Sequence, residues 1–211
     1  MVSSKQQALI DLYATMAKDG YETADNQHVE VAFSDMEVRA FKDLVQPLLA
    51  RFEVKSLLDF GCGGSDYLAP DFSDGMNAKS FFGLDEVRLF EPARNIDQRQ
   101  RSDAVFCFDV LEHIFISDVP RIVRELFSHA EKLLVVNVAC YPARALLPNG
   151  ENAHITVRPP VWWKGMFDSI AVEYPDVAVQ LWCSVGWRNA QGYPVYRAQD
   201  WLEQEGFVVA M

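Results

Sequence analysis

The chain is short of positive charge: 19 Lys and Arg stand against 30 Asp and Glu, a net charge of −11. No basic cluster interrupts that balance. Binding nucleic acid depends on neutralising phosphates with Lys and Arg, so a polyanion is excluded as the main partner. Cysteine is also scarce. The four at positions 62, 107, 140 and 183 form no Cys-x-x-Cys pair. The apolar neighbours of Cys107, Cys140 and Cys183 make them small core residues in a reducing compartment. The four histidines are scattered, and their spacing along the chain gives no metal site. No apolar run approaches the length of a membrane span, and the first residues lack a basic stretch followed by an apolar one. A soluble, cytoplasmic protein with no membrane partner is expected. Repeats and low-complexity linkers are absent. What remains is 211 residues, half apolar and 12% aromatic, enough for one domain with a sizeable core.

Apolar spacing predicts a helix over residues 6–18, with Leu9, Leu12, Tyr13 and Met16 on one face and Gly20 as its stop. Residues 21–33 read as polar and irregular. Ser34 followed by Glu37 is a capping-box pattern for a second helix, whose face is Val38, Phe41, Leu44, Val45, Leu48 and Leu49. Pro47 is expected to kink or end that helix near Gln46. Strands are expected at 54–58, 87–91, 104–108, 133–138, 177–183 and 207–210. Helices are expected at 119–132, 162–170 and, in short form, 66–70 and 199–205. Residues 139–160 hold four prolines and little periodicity, and a loop that long inside a compact domain is usually functional. Residues 186–196 read as an aromatic loop. Strands alternating with helices indicate a three-layer α/β domain.

Three segments carry chemistry. The run Leu57-Leu58-Asp59-Phe60-Gly61-Cys62-Gly63-Gly64-Ser65 ends a buried strand in a carboxylate and a glycine turn. Such a turn lets backbone approach a ligand where a Cβ would collide, at the carboxyl end of a strand. Next, Leu89-Phe90-Glu91-Pro92 ends a second strand in an acid able to accept two ribose hydroxyls. Asp85 competes for that role, but residues 87–90 make the better strand. Then Phe108-Asp109-Val110-Leu111-Glu112-His113 follows a third, strongly apolar strand.

In this order the three segments resemble the S-adenosylmethionine-dependent methyltransferases of the Rossmann-like class I. The resemblance implies S-adenosyl-L-methionine as cofactor, with Asp59, Gly61, Cys62 and Gly63 around its methionine part. It implies Glu91 and Pro92 at its ribose, Asp109 and Val110 contributing through position and backbone, and Leu111 near its adenine. Residues 152–163, Asn-Ala-His-Ile-Thr-Val-Arg-Pro-Pro-Val-Trp-Trp, resemble a bacterial subgroup with an Asn-Ala-His-x-Thr-x-x-Pro-x-x-Trp-Trp signature. Tyr13, Met16 and Gly20 resemble that subgroup's N-terminal helix, which closes the pocket from above.

His113 and His154 are the candidate catalytic bases, since imidazole titrates near neutral pH. Each has an alternative reading: His113 braces the following helix, and His154 belongs to a rigid cover. The function implied is methyl transfer to a small-molecule acceptor with an oxygen or nitrogen nucleophile. Trp162, Trp163, Trp182, Trp187, Tyr193 and Tyr196 suit a sugar, an aromatic metabolite or a modified peptide equally. The alternatives are a protein that binds the cofactor without transfer and an NAD-dependent oxidoreductase. For the latter, Asp66 stands where the dinucleotide fingerprint needs a third glycine.

Domain organisation is expected to be a single unit over residues 1–211, a helical cap over 1–53 and an α/β core over 54–211. Counting adds one departure from the family. Only the eleven residues 92–102 separate Glu91 from Asp103, and one parallel crossover alone takes about a dozen. The family's usual third strand is therefore expected to be missing, with 93–102 a loop or one helical turn. The order becomes 2-1-4-5-7-6 in the family's strand numbering, with the second strand at an edge.

Overall fold

A computed structural model gives the structure and describes residues 4–30, 33–186, 188–198 and 206–210. Helix α1 (Ser4–Asp19) presents Leu9 and Met16 inward and stops at Gly20, whose positive φ of 78° lets its N–H reach the Met16 carbonyl at 2.9 Å. The polar stretch after it forms a hairpin of β1 (Tyr21–Glu22) and β2 (His28–Val29), where the sequence predicts no element. Thr23 closes the turn through its hydroxyl, which donates to the Gln27 carbonyl at 3.1 Å and accepts from the Gln27 N–H at 2.9 Å. Such side-chain bonding to the backbone is invisible to hydrophobic periodicity.

Helix α2 (Met36–Arg51) has Asp35 at its N-cap position, one residue past the expected Ser34 and without a side-chain cap bond, and it continues past Pro47. Pro47 lies on the exposed face, where the carbonyl it deprives of a partner can turn to water. Val38, Phe41, Val45 and Leu49, all buried, hold the opposite face to the core across the proline. That anchorage outweighs the one lost hydrogen bond.

The sheet follows. In chain order its members are β3 (Ser56–Phe60), β4 (Glu86–Glu91), β5 (Ile96–Asp97), β6 (Ser102–Phe108), β7 (Ala130–Ala139), β8 (Ala178–Gly186), β9 (Asn189–Gly192) and β10 (Phe207–Ala210). Helices α3 (Ala78–Phe81), α4 (Val119–His129) and α5 (Pro160–Ala171) connect them. The spatial order is β10-β9-β8-β7-β6-β3-β4-β5, parallel from β4 through β8 and antiparallel at both ends. Successive side chains alternate between two cores. Leu58, Val105, Leu134, Val136, Val179 and Leu181 meet α4 and α5 on one face. Leu57, Ala104, Phe106, Leu133 and Val135 meet α2 and the Phe81–Phe82 end of α3 on the other. The α/β expectation holds, with helices on both faces of a mostly parallel sheet.

Several finer expectations are corrected. The segment after Glu91 makes the expected single helical turn (Pro92–Arg94), but Asn95 at φ 56° reverses the chain. Ile96 and Asp97 then pair antiparallel with Glu91 and Phe90. No parallel third strand is present among the described residues, yet β4 is not the edge. A two-residue hairpin return needs no crossover, so eleven residues are enough for a strand beyond β4. At the other side β8 pairs directly with β7, and β10 lies at the far edge instead of between them. The expected 5-7-6 order is thus replaced by a simple outward progression through the β8–β9 hairpin. Residues 189–192 are a strand in place of loop: Ala190 is fully buried between its neighbours although Asn-Ala-Gln-Gly has no strand propensity. Residues 66–70 form turns with no helix, and α4 ends at His129 because β7 already starts at Ala130. The expected helix at 199–205 lies outside the described residues. No helix among the described residues is long and apolar enough to cross a membrane.

Candidate functional site

The three sequence-predicted segments emerge side by side, at the carboxyl ends of the adjacent strands β4, β3 and β6. At the end of β3, Gly61 and Gly63 adopt φ of 81° and 55°, a region only glycine enters without strain. The Gly61 and Cys62 N–H groups both donate to the Phe90 carbonyl, at 2.7 and 3.1 Å, tying the turn to β4. Glu91 accepts from the Gly63 N–H at 3.0 Å and the Ala93 N–H at 2.9 Å. The close approach that the glycines permit is made by the chain itself. A Cβ on Gly61 would overlap the Val110 methyl groups, and one on Gly63 would lie 2.8 Å from Phe33 Cβ. Phe33 also accepts the Gly64 N–H at 2.6 Å through its carbonyl. Asp59 is buried beneath this turn and accepts the Tyr67 hydroxyl at 3.1 Å; burial pushes its carboxyl up to about 7.

At the end of β6 the chain turns at Asp109, whose φ of 57° puts a non-glycine residue in the left-handed region. Aspartate tolerates this better than most, and such outliers cluster at functional sites. A short 3₁₀ turn (Leu111–His113) follows, so residues 109, 112 and 113 all return toward the strand ends. The 139–160 segment folds over them, and its signature residues fasten it there. Asn152 accepts the Ala143 and His154 N–H groups at 2.9 and 3.0 Å and donates to the Ala143 carbonyl at 2.7 Å. The Thr156 N–H donates to the Glu112 carbonyl at 2.9 Å, and its hydroxyl donates to the Ile114 carbonyl at 2.6 Å.

His154 Nδ1 lies 2.6 Å from the Tyr141 carbonyl, which can only accept, so Nδ1 carries the proton and Nε2 is bare in the neutral ring. His113 Nδ1 lies 3.0 Å from the Ala153 carbonyl and 2.8 Å from the Tyr13 hydroxyl. That hydroxyl donates to the same carbonyl at 2.9 Å, so His113 also carries its proton on Nδ1. The two rings meet edge to face, with centroids 4.7 Å apart. The N-terminal helix therefore does reach this site, through Tyr13.

The electrostatics are those of crowded acids. The Asp109 side chain is 41% exposed. Burial works to raise its carboxyl, but the neighbouring His113 outweighs it and holds Asp109 below the usual carboxylate range. Glu112 is fully buried, and burial together with the Asp109 charge pushes it up. Its Oε1 accepts the Ala139 N–H; its Oε2 has no hydrogen-bond partner among the described residues. Burial raises Glu37 to about 7 and the Tyr141 phenol to about 12, each with Asp109 as the next cause. One donor atom each from Asp109, Glu112, His113 and His154 lies within 4.8 Å of the others. Spacing along the sequence could not reveal this set, because His154 arrives from a different segment of chain.

Some expected residues fall away. Leu111 is fully buried in the core and offers no side-chain surface to an adenine. Trp163, Trp182, Tyr193 and Tyr196 are core residues too, so they do not face an acceptor. Trp187 lies outside the described residues. Conversely, the sequence marks Glu37 only as a capping residue and Tyr141 only as part of the stretch leading into the 152–163 signature, and it gives no signal for Phe33. No family model matches this chain, and no curated protein or solved structure matches it either.

Proposed function

We propose that the chain is an S-adenosylmethionine-dependent methyltransferase acting on a small-molecule oxygen or nitrogen nucleophile. The observation that carries this reading is the convergence of the glycine turn, the Glu91 carboxylate and the Asp109–His113 turn on adjacent strand ends. Open α/β sheets bind their ligands there. In this reading Asp59 lies nearest the cofactor's ammonium group, and the backbone of Gly61, Cys62 and Gly63 passes beneath the methionine part. Glu91, followed by Pro92, exchanges its bonds to Gly63 and Ala93 for the ribose hydroxyls. Asp109 and Val110 wall the pocket beside the reactive carbon. A ligand reaching the turn displaces the Phe33 contact with Gly64.

The reaction is an in-line displacement: the acceptor's lone pair bonds to the methyl carbon as the carbon–sulfur bond breaks and its electrons return to sulfur. Little beyond alignment is required, except removal of the proton from a hydroxyl acceptor. His113 and His154 each keep Nε2 available for that proton because Nδ1 is already committed.

Calorimetry with S-adenosylhomocysteine tests the reading. Asp59→Ala and Glu91→Ala are each expected to weaken binding at least about tenfold, on the order of 1.4 kcal/mol. Unchanged affinity in both variants removes the cofactor assignment. Binding without turnover on any acceptor identifies the alternative, a cofactor-binding protein without transfer activity.

A further inference from the structure

We propose that Asp109, Glu112, His113 and His154 form a binding site for one divalent first-row transition-metal ion. Each of the four offers one atom able to ligate an ion, and these atoms converge within 4.8 Å of one another. His113 Nε2 is 3.9 Å from Asp109 Oδ2, and His154 Nε2 is 3.9 Å from Asp109 Oδ1, so the two imidazoles flank one carboxylate from opposite oxygens. Both Nδ1 protons are spent on backbone carbonyls, those of Ala153 and Tyr141, which aims two lone pairs inward. A backbone carbonyl behind an imidazole is the usual support of a metal-ligating histidine, since it fixes both tautomer and ring plane.

Glu112 is the independent pointer. Its side chain is fully buried, and among the described residues Oε2 has no hydrogen-bond partner. An unpaired buried carboxylate oxygen costs several kcal/mol in order of magnitude unless a positive charge meets it. Two carboxylates also match the charge of a divalent ion.

The donor set narrows the class of ion. Two imidazoles and two carboxylates suit Zn(II), Fe(II), Co(II) or Mn(II), whereas magnesium and calcium prefer all-oxygen shells. Ligands about 2.1 Å from one tetrahedral ion lie about 3.4 Å apart. The two 3.9 Å imidazole–Asp109 separations therefore close by about half an ångström, and the widest separation in the set, up to 4.8 Å, by about 1.4 Å. The partly exposed Asp109 leaves the site open on one side, so a further ligand can reach the ion.

The inference is independent of methyl transfer. With an ion present the two imidazoles are ligands, and proton removal from an acceptor no longer falls to them.

Untagged full-length chain, stripped with a chelator and dialysed, is titrated with Co(II), and visible absorption is followed. Zn(II) content is measured separately after gel filtration. About one equivalent of either ion is expected per chain. His154→Ala and Glu112→Gln are each expected to weaken Co(II) binding at least about tenfold. His28→Ala, whose ring pairs with Glu22 on the surface, is expected to leave it unchanged. Thermal unfolding checks that each variant is folded; if Glu112→Gln is not, Asp109→Asn replaces it. Folded wild type that retains no ion overturns the proposal, as does undiminished binding in both variants. That result would mean the carboxylates share protons instead. Calorimetry with S-adenosylhomocysteine on the same stripped protein reports separately on the cofactor reading, so either can fail alone.

Discussion

Asp59 is a single residue on which the fold and the proposed chemistry make opposite demands. Burial holds its carboxyl at about 7 in the folded chain, against 3.8 for an ordinary aspartate. The folded state therefore binds the proton more tightly than the unfolded state. The stability this proton supplies is fully present below about pH 4 and is lost as pH rises toward 7. Asp59→Asn keeps an acceptor for the Tyr67 hydroxyl and has no charge to bury. Urea denaturation at pH 5 and pH 8 is expected to show a smaller loss of stability for this variant than for wild type, by on the order of 1 to 3 kcal/mol. Equal losses would place the buried proton elsewhere. A ligand ammonium group beside Asp59 reverses the demand, because it favours the ionised form.

Among the elements, the turn between β3 and the Asp109 segment is the most tightly specified. Gly61 combines a φ of 81° with contact to Val110, where an added Cβ would overlap Cγ2 and lie 3.2 Å from Cγ1. Gly61→Ala thus meets both backbone strain and overpacking, and a loss of more than about 2 kcal/mol is expected. Pairing it with Val110→Ala removes the overlap and leaves the strain, so the double variant recovers part of that loss. Denaturant midpoints of the two single variants and the double variant check this, and strict additivity would show that the methyl groups do not meet. This turn was legible in the sequence because glycine has few other reasons to recur after a buried apolar run. The parallel strands were legible for a similar reason: residues 104–108 are apolar without interruption between Asp103 and Asp109, and 133–138 are broken only by Asn137. The length of α2 was not legible, since Pro47 obeys a local rule that burial of Phe41, Val45 and Leu49 on the other face overrides. Nor was β9, whose Asn-Ala-Gln-Gly is a strand only because Trp182 to Ser184 are already there to pair with it.

At the scale of the whole molecule, the central run of strands follows the expected 2-1-4-5 order as β4-β3-β6-β7, and only the two ends of the sheet escaped the sequence. Where β8 and β10 sit is decided by which neighbour offers an unpaired edge, and no local pattern records that. The candidate site escaped for the same reason: residues 109 to 113 were visible as a motif and His154 as another, but nothing in either says that their rings lie 4.7 Å apart. Tyr13 links the most distant parts, bonding to His113 and Ala153 from 100 and 140 positions away. Tyr13→Phe keeps the ring and removes that hydroxyl, so a loss of about 1 kcal/mol is expected. Thermal unfolding measures it, and an unchanged midpoint would mean that water replaces the hydroxyl at no cost.

That long reach also sets an order of events during synthesis. The strands β3, β4 and β6 and the turn at Asp109 leave the ribosome before residue 154 exists, while the Tyr13 helix has waited since the start. Closing such separations costs chain entropy that only the finished sheet can repay. The acidic pair Asp109 and Glu112 therefore faces its histidine cover last, and a nascent chain carries the charge of this site before it carries the shape.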